Sequence, residues 1–167
     1  FARYTSRTLY PGVRTSTDDT KKLAAINHFY VRLEEQAQSH QWAAERIEEL
    51  KRRGKWPAKP NITEWFGSGN WQQTGSGPFR RGITLPQDRE LLTRHEVLAA
   101  PPDILVTNYS MLEYMLMRPL ERPVFDLTRS WLREHPDNKF LLIVDEAHLY
   151  RGAAGAEVAL LLRRLRD

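Results

Sequence analysis

The sequence predicts an α/β domain of three layers, a mainly parallel sheet covered by helices, and three observations predict it. Two short runs, the Ile-Leu-Val of DILVTN at 103–108 and FLLIV at 140–144, are apolar throughout, as strands buried on both faces require. Segments with apolar residues at three-to-four spacing lie before, between and after these runs, as covering helices require. The second run ends on two carboxylates, Asp145 and Glu146, at the edge where open parallel sheets bind ligands. A chain of 167 residues has room for one such domain with a real core.

Taken in order, FARYTSRTLYPGVRTS mixes β-favouring residues with Arg3, Arg7 and Arg14; it predicts a short strand, then a turn at Pro11-Gly12. Thr17 or Asp18 can cap the helix that follows. From Thr20 to Arg53 the positions Leu23, Ile26, Tyr30, Leu33 and Ala37, then Ala44, Ile47 and Leu50, trace an apolar stripe. This is one long helix, or two with a break near Ser39-His40. Lys51, Arg52 and Arg53 suit its C-terminal end, and Gly54 suits the residue just past it. KRRGK therefore reads as a solvated helix end rather than a nucleic-acid contact.

Residues 54–86 are punctuated by Gly, Pro and Ser. Ile62–Phe66 is expected as a strand entering the turn Gly67-Ser68-Gly69. The GSG triplets lack the GxxxxGK[ST] spacing and its Lys, so they make no phosphate loop. Trp56, Trp65 and Trp71 could stack on bases, but near a loop they read as local core. Gln87–Ala99 is expected as a helix stopped by Pro101-Pro102, and DILVTN as a buried strand. SMLEYMLMR opens a helix in which Ser110 and Glu113 have capping-box spacing. A short helix around 127–134, the buried strand 140–144 and an amphipathic helix over 157–166 complete the chain. No repeat of fixed period is present.

Composition narrows function. The chain has no Cys, which excludes disulfides, thiol catalysis and Cys-based zinc sites. A net charge of +4 permits nucleic-acid binding without requiring it. No apolar run approaches the roughly 18 residues of a membrane span, and no signal peptide opens the chain, so a cytoplasmic setting without membrane contact is expected. Beginning with Phe1 and ending in LLLRRLRD, the sequence reads as excised from something longer.

The carboxylate pair carries the chemistry. One acid can hold Mg²⁺, usually through water, against phosphate charge. The next residue on a bent strand end can orient and deprotonate an attacking water. His148, three residues after Asp145, can report nucleotide state to another surface. Direct metal ligation by Asp145, Glu146 and His148 would want a further strong ligand, and His28, His40, His95 and His135 form no spaced cluster.

DEAH at 145–148 resembles motif II of superfamily 2 DEAD/DEAH-box helicases, in their first RecA-like domain. PPDILVTNYSMLEYMLMRP at 101–119 is similar to the strand and helix that deliver a Thr toward the nucleic-acid backbone. ITEWFGSG at 62–69 is similar to the strand and Gly turn between family motifs. YRGAAGAEVALLLRRL, from Tyr150, resembles the helix after motif II in large bacterial repair and phage-defence helicases. The resemblance covers residues 60–167; RYTSRTLYPG lies where motif Ia should fall.

What it implies is a partial helicase ATP-binding domain over 1–167, an incomplete P-loop NTPase fold with 54–86 a loop-rich insertion. Asp145 would hold the Mg²⁺ of MgATP through water, Glu146 would be the catalytic base, and His148 would couple hydrolysis to interdomain movement. Thr107, Asn108 and Ser110 would face the phosphate backbone of a nucleic acid, DNA rather than RNA. The implied partner within the parent chain is a second RecA-like domain. The Gly-rich Lys-containing loop would precede Phe1 and the Ser-Ala-Thr motif would follow Asp167. TNYS stands where many family members have TPGR, a departure that bears on substrate. Two alternatives accompany this reading: a non-catalytic nucleic-acid-binding module with a vestigial ATPase corner, and an ATP-driven protein remodeller of the same fold.

Overall fold

The computed structural model describes residues 1–6, 8, 25–67 and 87–166, and the backbone of 13–14, 72–73 and 79–80. The expected turn at Pro11-Gly12, the cap at Thr17 or Asp18, Trp71, and the GSG triplets beyond Gly67 lie outside these residues. The chain divides into two compact units, Phe1–Val106 and Thr107–Asp167.

The first unit is built on a helical pair. A π-helical turn, Asn27–Val31, runs into α1 (Arg32–Ala37). The helix breaks at Gln38–His40, and α2 (Gln41–Arg52) packs back on α1. Gly54 ends α2 at φ 62°, a conformation that costs glycine little. Its N–H donates to the Lys51 carbonyl at 2.9 Å, and that of Lys55 to Leu50 at 2.8 Å, the paired bonds of a Schellman cap. The basic helix end is solvated, with Lys51 on Glu48 at 2.7 Å and Arg53 on Glu49 at 3.0 Å. Arg46 also bonds Glu49 and, with the neighbouring arginines, holds that carboxyl below its usual range.

Ile62–Phe66 is a helix, α3, where a strand was expected. Three apolar residues in five fit either form; the N-terminal acceptors decide. Asn61 accepts from the Glu64 amide at 2.8 Å, while Glu34 accepts from Ile62 at 3.1 Å and Thr63 at 2.7 Å, satisfying the donors a helix leaves open. Trp56 and Trp65 join Ile26, Ile47 and Leu92 in the core, so both tryptophans are local core. Tyr30 packs edge-on to Trp56 at 5.3 Å, and burial, followed by the charge of Glu90, raises its phenol above the ordinary value.

The helix expected over 87–99 is confined to α4 (Arg94–Ala99). Thr93 and Glu96 form a capping box that starts it late, and Leu91 instead bridges Ala2 in parallel. Ala2 lies in β1 (Ala2–Tyr4), which pairs with β5 (Leu105–Thr107). The Ala2 amide donates to Ile104 at 2.9 Å. β5 forms where a buried strand was expected, but it is only partly covered: Val106 is 52% exposed. Within 13–80, β2 (Val13–Arg14), β3 (Gln72–Gln73) and β4 (Phe79–Arg80) make an antiparallel sheet in the order β2-β4-β3.

The second unit contains α5 (Tyr109–Met117), a 3₁₀ turn at Pro119–Glu121, α6 (Arg122–Glu134), a 3₁₀ turn at Ala147–Leu149 and α7 (Gly152–Arg166). α6 and α7 begin earlier than the sequence spacing indicated. The expected buried strand at 140–144 is not formed: these residues are exposed and lie in no ladder among the described residues. Leu141 is 79% and Ile143 81% exposed. An apolar run states a demand for cover on both faces, and here no described strand meets it.

The first unit contains a buried charge network. The Lys59 ammonium lies 2.7 Å from Glu96 and 3.0 Å from Asp88, with all three side chains essentially inaccessible. Replacing Lys59 by Met removes the ammonium that two buried carboxylates share. We expect a loss of about 3–5 kcal/mol, the usual cost of breaking a buried ion pair, read as a lower urea midpoint. A loss near zero would show that these acids are hydrated instead.

Candidate functional site

Asp145 and Glu146 stand at the end of the exposed 140–144 segment, in a turn that holds itself together. The Glu146 amide donates to the Asp145 carboxylate, Oδ1, at 2.9 Å. The Leu149 amide donates to the Glu146 carbonyl at 2.9 Å, Tyr150 to Ala147 at 3.2 Å, and Arg151 to Leu149 at 3.1 Å. The Arg151 side chain donates from Nε to the His148 carbonyl at 3.0 Å. Every carbonyl from 146 to 149 thus has a partner within the same few residues, so the turn depends little on distant packing.

Glu146 is left-handed, φ 49° and ψ 37°, alone in this among the described non-glycine residues. For an L residue this costs roughly 1–2 kcal/mol, and such strain is held only where surrounding bonds over-determine it. It bends the chain between the two acids. The Glu146 carboxylate meets His148, Nδ1 to Oε2 at 3.3 Å, with both side chains more than half exposed; such a surface pair adds little stability. The sequence placed these three residues together, and the structure brings them together.

No group of three or more metal-ligating side chains occurs among the described residues. An exposed carboxylate such as that of Asp145 has the chemistry to hold a hydrated divalent cation. Clefts of about 380 and 350 Å³ lie elsewhere, one lined by Glu34, Trp56 and Lys59, the other by Met115, Arg118 and Phe125; neither is lined by Asp145 or Glu146.

Thr107, Asn108 and Ser110 lie at the end of β5 and the start of α5. The helix is capped by Asn108, whose Oδ1 accepts from the Met111 amide at 2.9 Å. The capping role expected of Ser110 is thus filled two residues earlier; Ser110 is exposed inside the first turn. Asparagine's strength as a cap was the overlooked signal. The Thr107 hydroxyl donates to the Asn108 carbonyl at 3.4 Å. α5 packs against α7. Tyr109 has its phenol raised by desolvation, and further by Glu113 and by Glu157 of α7. Arg151, whose Nε bonds the His148 carbonyl, is a contributor to the DEAH turn that sequence reasoning passed over.

Removing the cap separates the two assignments. Asn108→Ala should destabilise α5 by about 1 kcal/mol, measured by thermal unfolding. Ser110→Ala should stay within about 0.5 kcal/mol of the parent, as exposed positions do. The reverse order would restore Ser110 as the cap.

No family model and no solved structure matches the chain. Among curated proteins it is similar to the Druantia protein DruE of Escherichia coli (strain UMEA 4076-1), 44% identical over 179 aligned residues. The alignment takes in 99% of this chain and 9% of that protein, so the chain spans a small part of its relative's length.

Proposed function

We propose that the chain is part of an ATP-dependent nucleic-acid motor acting in bacterial phage defence. On this reading it is an incomplete RecA-like domain of a helicase or translocase, working in the cytoplasm on DNA. The observation that carries the proposal is the self-held DEAH turn, which presents Asp145 and Glu146 side by side at a bend. Similarity to the Druantia protein supports the defence setting.

The division of labour follows from the turn. Asp145 keeps one carboxylate oxygen on the Glu146 amide and can turn the other to the water shell of Mg²⁺. Bound there, the ion would offset charge on the nucleotide phosphates. Glu146, whose backbone is left-handed, would orient a water and accept its proton. His148, in contact with that carboxylate, would sense the proton transfer and couple it to a second RecA-like domain. Thr107 and Ser110, at a helix start, offer hydroxyls and amide donors to the phosphates of one strand without reading bases. A Gly-rich phosphate loop is not in this sequence, and the motor requires one from the parent chain.

The test is ATP turnover by the full-length protein with Mg²⁺, with and without single-stranded DNA. Glu146→Gln should lower turnover by about 10²–10⁴-fold, the usual worth of a general base, while nucleotide binding persists. DNA should stimulate the wild type. Turnover indifferent to nucleic acid would favour protein remodelling; no Glu146-dependent turnover would leave a vestigial corner on a binding module.

A further inference from the structure

We infer that Gly155, together with the Arg151 side chain, is a positioning residue for the DEAH carboxylates; the inference rests on the hydrolytic reading of that corner. Gly155 is the fourth residue of α7, where alanine would be the better helix former. A Cβ built there would lie 2.6 Å from the Tyr150 carbonyl oxygen and 3.0 Å from its carbon. Both are backbone atoms, which cannot swing aside as a flexible side chain does, and 2.6 Å is far inside carbon–oxygen contact distance. Glycine at 155 therefore lets the first turn of α7 lie directly on the Tyr150 carbonyl. By contrast, Gly54 and Gly152 face open space and are required only for their positive φ.

The contact matters because Tyr150 is a link in the DEAH turn. Its amide bonds Ala147, the neighbouring Leu149 amide bonds Glu146, and Arg151 closes the turn through both its amide on Leu149 and its Nε on His148. A side chain at 155 pushes the Tyr150 carbonyl away. That displacement passes along consecutive i to i+3 bonds to the strained backbone of Glu146, whose amide in turn holds Asp145. Gly155 touches neither acid, yet it sets where both leave the chain. Removing the Arg151 side chain loosens the same turn from the other side, without adding bulk.

Two measurements test this. In the 167-residue chain, backbone amide resonances are compared for the parent, Gly155→Ala, Arg151→Ala and the control Ala154→Ser, an exposed neighbour on α7. In the full-length protein the same variants and Glu146→Gln are assayed for ATP turnover and melting temperature. Gly155→Ala should shift the amides of Glu146 to Tyr150 and lower kcat about tenfold or more, since ångström-scale misplacement costs up to ~10²-fold. KM for MgATP should change by less than about twofold, as expected when only a transition-state interaction is lost, with melting unchanged. Arg151→Ala should act in the same direction and Ala154→Ser should do neither; Arg151→Ala decides the matter if Gly155→Ala fails to fold. Unmoved amides, or wild-type kcat alongside an inactive Glu146→Gln, would overturn the positioning role while hydrolysis stands. A wild type without Glu146-dependent turnover would overturn the hydrolytic reading and the catalytic consequence with it, and the amide shifts would still decide whether Gly155 sets the turn.

Discussion

The first unit depends on an ammonium group with no access to water. Lys59 sits between Glu96 and Asp88 and lies 5.4 Å from the centre of the Trp65 ring. Glu96 also accepts from the Trp65 indole at 2.9 Å and from the Leu92 and Thr93 amides at 3.0 and 2.9 Å. One carboxylate thus joins a loop, α3 and the start of α4. Desolvating these charges is costly, and only this many good bonds offset it. Glu34 and Glu90 repeat the pattern on a smaller scale, with Glu34 holding the start of α3 and Glu90 accepting from the Ala58 amide and Arg3. In this unit the acids hold segments together that are some thirty or more residues apart, and they are not candidates for catalysis.

The DEAH turn is organised on the opposite principle. Its bonds span three residues or fewer, its acids face solvent, and its strain is local to Glu146. A turn of this kind keeps its shape while the apolar run leading into it stands exposed. The two units therefore differ in what a mutation would do. A change in the Lys59 network removes stability, whereas a change in the turn redirects two carboxylates at little cost to the fold.

That difference also explains how much could be read beforehand. Locally encoded features were legible: a break near Ser39-His40 as one of two readings of the long helical stretch, the Gly54 cap, the core role of Trp56 and Trp65, and the adjacency of Asp145, Glu146 and His148. Features set by remote partners were not. ITEWF is helical because Glu34, far upstream, supplies acceptors to its first amides. Residues 87–93 stay extended because Leu91 bridges β1 and Thr93 starts the helix after them. FLLIV announces a need for burial, but a sequence run names no neighbour to provide it. Ser110 was preferred as a cap on its spacing to Glu113, when Asn108 stood closer to the true helix start.

We propose that this chain carries the water-activating half of a nucleotide site and relies on its parent for the phosphate-binding half. The direct measurement is ATP hydrolysis by the 167-residue chain beside the full-length protein, at equal concentration with Mg²⁺ and DNA. The account predicts turnover by the full-length protein and none by the chain alone. Glu146-dependent turnover by the isolated chain would contradict it.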